Sequence, residues 1–185
     1  MSVVKGSLRR NLNWWKENIS NVYVLQTIEH GYQLPLMEIP APIVLTNNKS
    51  AFDNSQFVTE EIHRLVNAGI LIPKQEQPTV VNALTVAVNA GGKQRLVLDL
   101  RTVNPLLLVP HYKYEDVRTA SNYFKKDGWM ATFDLKSGYH HIDIHIAFQQ
   151  YLGLCWEEKY YVFSSCPFGM SVSGLVFTKV LRELV

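Results

Sequence analysis

Residues 80–101 have the sequence VVNALTVAVNAGGKQRLVLDLR, which predicts a β-hairpin and decides the fold class. Two β-rich runs flank residues 89–92, Asn-Ala-Gly-Gly, and this composition is typical of a hairpin turn. The second run alternates, so its leucines share one face of the strand while Arg95, Asp99 and Arg101 share the other. The leucine face is expected to belong to a core.

The charged face of this hairpin allows two interpretations. Arg95 and Arg101 stand on either side of Asp99, and Lys93 lies beside the glycines of the turn. Guanidinium groups match phosphate oxygens, and glycine permits close approach of a ligand to the backbone, so this surface could receive phosphates. It could also be a solvated strand face with an ordinary Arg–Asp ion pair, which is the commoner situation. Charge pattern alone leaves both open.

The rest of the chain mixes helical and extended patterns without a regular β-α-β order. A helix over 57–69 is predicted to be capped by Thr59 and stopped by Gly69, with Ile62, Leu65 and Val66 buried. Further helices are predicted over 8–18 and 113–126 and from Ser171 or Ser173, extended or loop structure over 22–45, a polar loop over 47–56, strands over 129–135 and 139–146, and a second hairpin over 151–165. These elements predict an α+β fold with antiparallel hairpins and packed helices.

Composition excludes few functions. The chain has 185 residues, a net charge of +2 and a pI near 8.5, which is compatible with a polyanionic partner but too mild to argue for one. Cys155 and Cys166 lack metal-ligand spacing, and two reduced thiols in an intracellular protein are the simpler expectation. Neither a signal peptide nor a membrane span is predicted. The sequence ends inside a predicted helix, so we expect the chain to be cut.

Asp134 follows the apolar run 129–133, where a carboxylate would sit at the rim of a core. Such a group needs a cation or a metal ion as its partner, and Mg²⁺ takes one or two carboxylates together with substrate phosphates. The alternative is that Asp134 caps the turn at residues 137–138. Local sequence does not decide between these roles.

Two aromatic residues near Asp134 are also open to two interpretations. Tyr139 could stack on a sugar or a base, but a core position is the better general expectation. Phe168 stands between Pro167 and Gly169 and could lie against a planar ligand or simply form a structural turn. The neighbouring histidines have no set of ligands to complete a metal site and are predicted to be surface or interface residues: His140, His141 and His145.

The order of these motifs resembles reverse transcriptases. GGKQRLVLDLRTVN, then FDLKSGYHHIDI, then CPFGMSVSGLVFTKVL is similar to the fingers-to-palm run of retrotransposon enzymes, most closely the DIRS-like group. The segments LRRNLNWWKENISNVYVLQTIEHGYQLPL and VTEEIHRLVNAGILIP also resemble what precedes the fingers there. The resemblance covers residues 8–185. It implies a right-hand polymerase fragment with an N-terminal extension (1–56), fingers (57–128) and a partial palm (129–185).

The resemblance also implies roles for individual residues. Asp134 matches the first catalytic aspartate, which binds both Mg²⁺ ions, and the backbone carbonyl of Leu135 helps to bind one of them. Tyr139 matches the aromatic steric gate under the sugar of the incoming dNTP. Arg95 matches the fingers arginine that contacts the triphosphate, while Phe168 and Gly169 match the turn beside the nucleotide. Asp99 and Arg101 match positions that are mostly structural.

Two departures from the family pattern affect these expectations. Val88 and Asn89 stand where relatives often carry a lysine pair, which makes Lys93 a candidate for a replacement phosphate contact. No Tyr-x-Asp-Asp motif occurs in the 185 residues, and the thumb and RNase H regions are also missing. We therefore expect a fragment that binds template–primer and dNTP in its complete form but cannot polymerise alone. The alternatives are a non-enzymatic nucleic-acid-binding remnant and a fragment that folds poorly because a sheet edge is exposed.

Overall fold

The computed structural model of the protein describes residues 4–114, 116–124, 126–129, 131, 135 and 137–184. The α-helices are α1 (Ser7–Arg10), α2 (Leu12–Asn18), α3 (Val22–His30), α4 (Lys49–Asp53), α5 (Ser55–Asn67), α6 (Val117–Ser121) and α7 (Ser173–Leu181). The strands are β1 (Ile43–Val44), β2 (Leu71–Lys74), β3 (Val80–Val88), β4 (Gln94–Asp99), β5 (Gly153–Trp156) and β6 (Lys159–Phe163). Short 3₁₀ helices span Asn104–Leu106, Gly138–His141, Ile146–Tyr151 and Arg182–Leu184.

One mixed sheet organises these elements in the order β1-β3-β5-β6-β2, with β4 paired to β3. The first part of β3 lies between β1 and β5, parallel to both. Its remaining residues, from Ala83 to Val88, pair antiparallel with β4. The predicted α+β class with antiparallel hairpins is therefore correct, and the two parallel pairings are an addition that the sequence patterns did not indicate.

The hairpin predicted over 80–101 is confirmed. Its register joins Ala83 to Asp99 and Val88 to Gln94. At the tip, the Asn89 Oδ1 atom accepts hydrogen bonds from the backbone N–H groups of Gly91 (3.1 Å) and Lys93 (2.9 Å), which closes the turn without help from another segment. The leucines of β4 are buried, as the alternation predicted.

The second predicted hairpin is also confirmed. Strands β5 and β6 pair antiparallel from Gly153–Val162 to Trp156–Lys159. The two-residue turn between them places both Glu157 and Glu158 at positive φ (48° and 61°), as a type I′ hairpin connection requires.

Helix α5 starts earlier than predicted. Val58, Ile62 and Leu65 form its buried stripe, and the i, i+4, i+7 spacing carries the helix back to Ser55. Thr59 therefore lies inside the helix and does not cap it; its Oγ1 accepts a hydrogen bond from the indole Nε1 of Trp156 at 2.9 Å. The predicted stop at Gly69 is confirmed by its φ of +71°.

The prediction of extended or loop structure over 22–45 was wrong for its first part, which forms α3. The prolines that argued against a helix all follow Gly31, the residue that ends it. The Asn21 side chain caps α3 by accepting from the Val24 N–H at 3.3 Å, and Val24 and Ile28 pack into the core. The predicted polar loop over 47–56 likewise contains α4, whose Ala51 is fully buried.

Three other expectations differ from the structure or lie outside its described part. The helix predicted over 113–126 is described as helical only in α6. In place of a strand over 139–146, the chain forms a 3₁₀ helix followed by isolated bridges at Asp143 and Ile144. Most of the strand predicted over 129–135 lies outside the described residues.

The N-terminal helices are fixed to the centre of the molecule by specific contacts. The Lys5 ammonium group donates to the Asp143 carboxylate and to the Ser164 carbonyl oxygen, both at 3.0 Å. Tyr32 forms a parallel bridge with Ile144, and a Cβ atom on Gly31 would lie 2.6 Å from the His145 nitrogen. The segment 4–34 therefore packs as part of the same core.

The sheet takes strands from each of the three predicted segments: β1 from 1–56, β2 to β4 from 57–128, and β5 and β6 from 129–185. The boundaries at 56 and 128 stay a prediction. In the part of the chain that the structure describes, no helix has the length and apolarity needed to span a bilayer.

The contact between β3 and β5 gives a stability prediction. A Cβ atom on Gly153 would lie 2.5 Å from the Val80 carbonyl oxygen and 2.6 Å from the Pro78 Cβ atom. We expect Gly153→Ala to lower the free energy of unfolding by about 1–3 kcal/mol, because strand β5 would have to move away from β3. Urea unfolding followed by circular dichroism measures this.

Gly91→Ala is the matched control, because its new Cβ atom would have only the Asn89 side chain nearby, at 3.5 Å. It should change the stability by less than about 0.5 kcal/mol. Equal stability of the two variants would contradict the close packing of β3 on β5.

Candidate nucleotide-binding site

The tip of the β3–β4 hairpin carries two exposed cations. Among the described residues, the side chains of Lys93 and Arg95 form no hydrogen bond or ion pair, although both backbones belong to the hairpin. Both side chains are therefore available to an external anion, as the phosphate interpretation requires.

Arg101 has a different role from Arg95. Its guanidinium group holds the Asp99 carboxylate in a bidentate contact, with Nη2 to Oδ2 at 2.6 Å and Nε to Oδ1 at 2.9 Å. Hydrogen bonds from Arg101 and from Asn48 keep the pKa of Asp99 below its usual value, although partial burial opposes this. The ion-pair interpretation is thus correct for Asp99 and Arg101, while Arg95 stays free of it.

Gly169 places the turn after β6 directly against β4. Its φ is +104°, and a Cβ atom would collide with the Leu98 carbonyl oxygen and lie 3.3 Å from the Val97 side chain. Only glycine allows this approach at this backbone conformation. Val97 and Arg95 share one face of β4 and lie roughly 7 Å apart along the strand. The turn and the cationic tip therefore belong to one surface.

Asn104 holds this turn from the other side, and the sequence analysis missed it. Its Nδ2 atom donates to the Gly169 carbonyl oxygen at 2.9 Å, and its Oδ1 atom accepts from the Ser171 N–H at 3.0 Å. One side-chain amide thus satisfies a donor and an acceptor of the turn backbone. The only available signal was its position at the end of the GGKQRLVLDLRTVN motif.

Tyr139 and Phe168 meet at this surface. Their ring centroids are 5.5 Å apart, and Phe177 of α7 packs its ring against Tyr139 at 5.7 Å in an edge-on geometry. Gly138 makes room for Phe177, because a Cβ atom there would lie 3.0 Å from that ring. Phe168 remains 39% exposed. The structure therefore brings Tyr139, Phe168 and Gly169 together as an aromatic floor with one open side.

Asp134, the predicted catalytic and metal-binding residue, lies outside the described residues. Leu135 is described and is 41% exposed. Among the described residues, no group of three or more His, Cys, Asp or Glu side chains is placed to hold a metal ion. The proposed roles of Asp134 and of the Leu135 carbonyl stay predictions.

The prediction that the histidines are surface or interface residues was wrong for His140, which lies in the interior. His140 is only 4% exposed, and its ring packs edge-on against Phe168 with the ring centroids 5.6 Å apart. Its Nδ1 atom has no hydrogen-bond partner among the described residues. The 3₁₀ turn, rather than a strand, rotates it inward. His141 instead contacts the Ser7 hydroxyl at 2.9 Å, and the His145 Nδ1 atom accepts from the Ala147 N–H.

Neither predicted serine caps α7 with its side chain. The helix begins after Val172, and the buried Ser173 hydroxyl donates backwards to the Pro167 carbonyl oxygen at 3.1 Å. This bond closes the turn around Phe168 instead of binding the helix amides. Cys155 and Cys166 are both free thiols, as predicted.

Burial of His140 predicts a pH-dependent stability. Desolvation, assisted by the positive charges of Arg64 and His141, lowers the pKa of His140 from 6.5 to about 4. The unfolded chain then binds a proton more readily than the folded one. His140 therefore makes the protein less stable as the pH falls from about 6.5 to about 4, by up to roughly 3 kcal/mol.

His140→Phe keeps an aromatic ring against Phe168 and removes this proton. Between pH 7 and pH 4, the free energy of unfolding of the variant, measured with urea, should therefore fall less than that of the wild type. His63→Gln, an exposed position on α5, should follow the wild-type pH profile. If His140→Phe has the same dependence of stability on pH as the wild type, then His140 binds protons equally in the folded and unfolded states and the prediction is wrong.

Comparison with known sequences relates this chain to retroelement polyproteins. No family model matches the chain. It is 27% identical over 135 residues to the retrovirus-related Pol polyprotein from transposon gypsy of Drosophila melanogaster, which covers 71% of this chain and 13% of that protein. It is 21% identical over 160 residues to the Pol polyprotein from transposon 412 of the same species, covering 84% and 13%. The chain thus spans about an eighth of these curated relatives.

Solved structures show the same fold. Prototype foamy virus protease-reverse transcriptase superposes with a TM-score of 0.65 at 21% identity, over 83% of this chain and 20% of that one. The foamy viral protease-reverse transcriptase in complex with RNA/DNA hybrid gives a TM-score of 0.60 at 18% identity, over 100% of this chain and 25% of that one. The chain therefore shares its fold with part of these reverse transcriptase structures, and it is similar in sequence to Pol polyproteins of retroelements.

Proposed function

We propose that this chain is the fingers and partial palm of a retroelement reverse transcriptase, of the DIRS-like group and acting inside the cell. The observation that carries the proposal is the contact of Gly169 with Val97 and Leu98 of β4, the strand that carries Arg95, next to the packed rings of Phe168 and Tyr139. This arrangement supports a nucleotide site because cations suited to phosphates, a turn that a ligand can approach closely and aromatic rings suited to a sugar or base occur on neighbouring elements. The fold likeness and the Pol relatives support the same function.

In the complete enzyme, the primer 3′-hydroxyl would attack the α-phosphorus of a dNTP and release pyrophosphate. Arg95, with Lys93 beside it, would bind the triphosphate, Tyr139 would lie under the sugar, and Phe168 and Gly169 would border the base. Bound Mg²⁺ would neutralise the charge that develops on the phosphate oxygens.

The described residues do not by themselves fit a two-metal site. Two ions about 3.5–4 Å apart need several carboxylates, and Asp99, the carboxylate on the fingers strand, is already held by Arg101. Asp134 and the Leu135 carbonyl are the proposed ligands within this chain. The 185 residues contain no Tyr-x-Asp-Asp motif, so we propose that this stretch is catalytically incomplete.

A nucleic-acid partner follows from the same proposal. Two related foamy viral structures are described as complexes with dsDNA and with RNA/DNA hybrid. For this chain we propose a template–primer duplex as the partner. A second candidate function, nucleic-acid binding without chemistry, is favoured by the exposed Lys93 and Arg95 side chains near the hairpin tip.

Binding of a labelled primer–template duplex to the 185-residue chain, followed by fluorescence anisotropy, tests the partner. Affinity should fall with rising salt. In the non-enzymatic function, where Arg95 contacts a duplex phosphate and not a dNTP, Arg95→Ala should weaken binding about 3- to 10-fold and lower the salt slope by about 1. Arg64→Ala, which removes an arginine already paired with Glu61, should bind like the wild type. Binding that ignores salt, or no binding, would overturn the proposal.

Chemistry separates the two candidate functions. In a reading frame that continues through a Tyr-x-Asp-Asp motif, Asp134→Asn should reduce primer extension at least 100-fold, because a metal-binding carboxylate is lost. Asp53→Asn alters an exposed carboxylate on α4 and should leave extension unchanged. Normal extension by Asp134→Asn would rule out its catalytic role. Duplex binding that ignores Mg²⁺ in a chain without extension activity would favour the non-enzymatic function.

A further inference from the structure

Gly174, the second residue of α7, brings two tyrosine hydroxyls together. A Cβ atom at this position would collide with the Tyr114 Oη atom and would lie 3.6 Å from the Tyr139 Oη atom. The phenol of Tyr114 therefore occupies the space that any larger side chain would fill. It lies beside the hydroxyl of the proposed steric gate.

Tyr114 is held in place by its neighbour Tyr112. The two rings pack edge-on with centroids 5.1 Å apart, and the Arg182 guanidinium group lies over the Tyr112 ring at 4.9 Å. Tyr112 is partly buried, whereas Tyr114 keeps 53% of its surface exposed. Tyr112 is thus the anchored member of the pair, and Tyr114 presents its ring to solvent.

An exposed aromatic ring with restricted motion is suited to nucleic acid. It can stack on a base or pack against a sugar, and little conformational entropy is lost when it does so. The backbone before Tyr114 belongs to the segment 108–114, which also carries the exposed cation Lys113.

We infer that Tyr114 is a nucleic-acid-binding residue that extends the aromatic floor of Tyr139 and Phe168 towards the primer–template duplex. The inference rests on the proposed function, since it assigns a duplex to the same surface. Tyr114 contacts the nucleotide unit next to the one over Tyr139, and Gly174 is the positioning residue that lets it reach there.

The test measures binding of a fluorescein-labelled DNA primer–template duplex to the 185-residue chain by anisotropy. Tyr114→Ala should weaken binding about 5- to 100-fold, the range expected for loss of one base–aromatic contact. The matched control is Tyr160→Ala, which removes a tyrosine whose hydroxyl contacts Gln77 near the β5–β6 turn. It should stay within about 2-fold of the wild type.

A double-mutant cycle separates direct contact from general packing. Gly174→Ala should weaken binding to a similar extent, because its methyl group displaces Tyr114. Combined with Tyr114→Ala it should add nothing, since the group that it displaces is already gone. Fully additive effects would overturn the positioning role of Gly174.

Circular dichroism and thermal unfolding check that Tyr114→Ala folds. If Tyr114→Ala does not fold, Tyr114→Phe and Tyr114→Leu replace it in the test. The Phe variant keeps the ring and should bind like the wild type. The Leu variant lacks the ring and should bind as weakly as predicted for Tyr114→Ala. Equal affinity of Phe and Leu variants would overturn the inference. If Tyr114→Ala binds with wild-type affinity while Arg95→Ala binds more weakly, only the inference about Tyr114 is overturned. If the wild-type chain does not bind the duplex, the proposed function is overturned as well.

Discussion

Strand β3 is the constraint on which the rest of the structure depends. Its first residues pair with β1 and β5, and its remaining residues pair with β4. One strand thus joins the N-terminal segment, the cationic hairpin and the β5–β6 hairpin. The close approach at Gly153 shows how little freedom this leaves, because the β3 and β5 backbones meet without room for a methyl group.

The candidate site inherits its shape from that arrangement. Strand β4 is fixed by β3, and the turn at Gly169 is fixed to β4 by a glycine contact and by the amide of Asn104. Tyr139 is then held by packing against both Phe168 and Phe177. Rigid backbone contacts, rather than hydrogen bonds from the aromatic residues themselves, position the surface proposed to receive a nucleotide.

The two sides of the candidate site differ in how well their polar groups are satisfied. On the side of β4, the Lys93 and Arg95 side chains have no partner among the described residues and are open to an anion. On the aromatic side, the buried His140 with its unpartnered Nδ1 atom is a stability cost that the surrounding packing has to offset. Polar groups left unsatisfied beside a binding surface are typical of functional regions, where local stability is not maximised.

The sequence by itself determined the two hairpins, the end of α5 at Gly69 and the two faces of β4, because turn chemistry and strand alternation act over neighbouring residues. It also fixed the order of motifs that resembles reverse transcriptases. Only the tertiary structure decided that Arg101 pairs with Asp99, that His140 turns inward, that Asn104 holds the turn at Gly169, and that Tyr114 packs on Gly174 beside Tyr139. These contacts join residues up to 67 positions apart, and periodicity carries no information about partners at that separation.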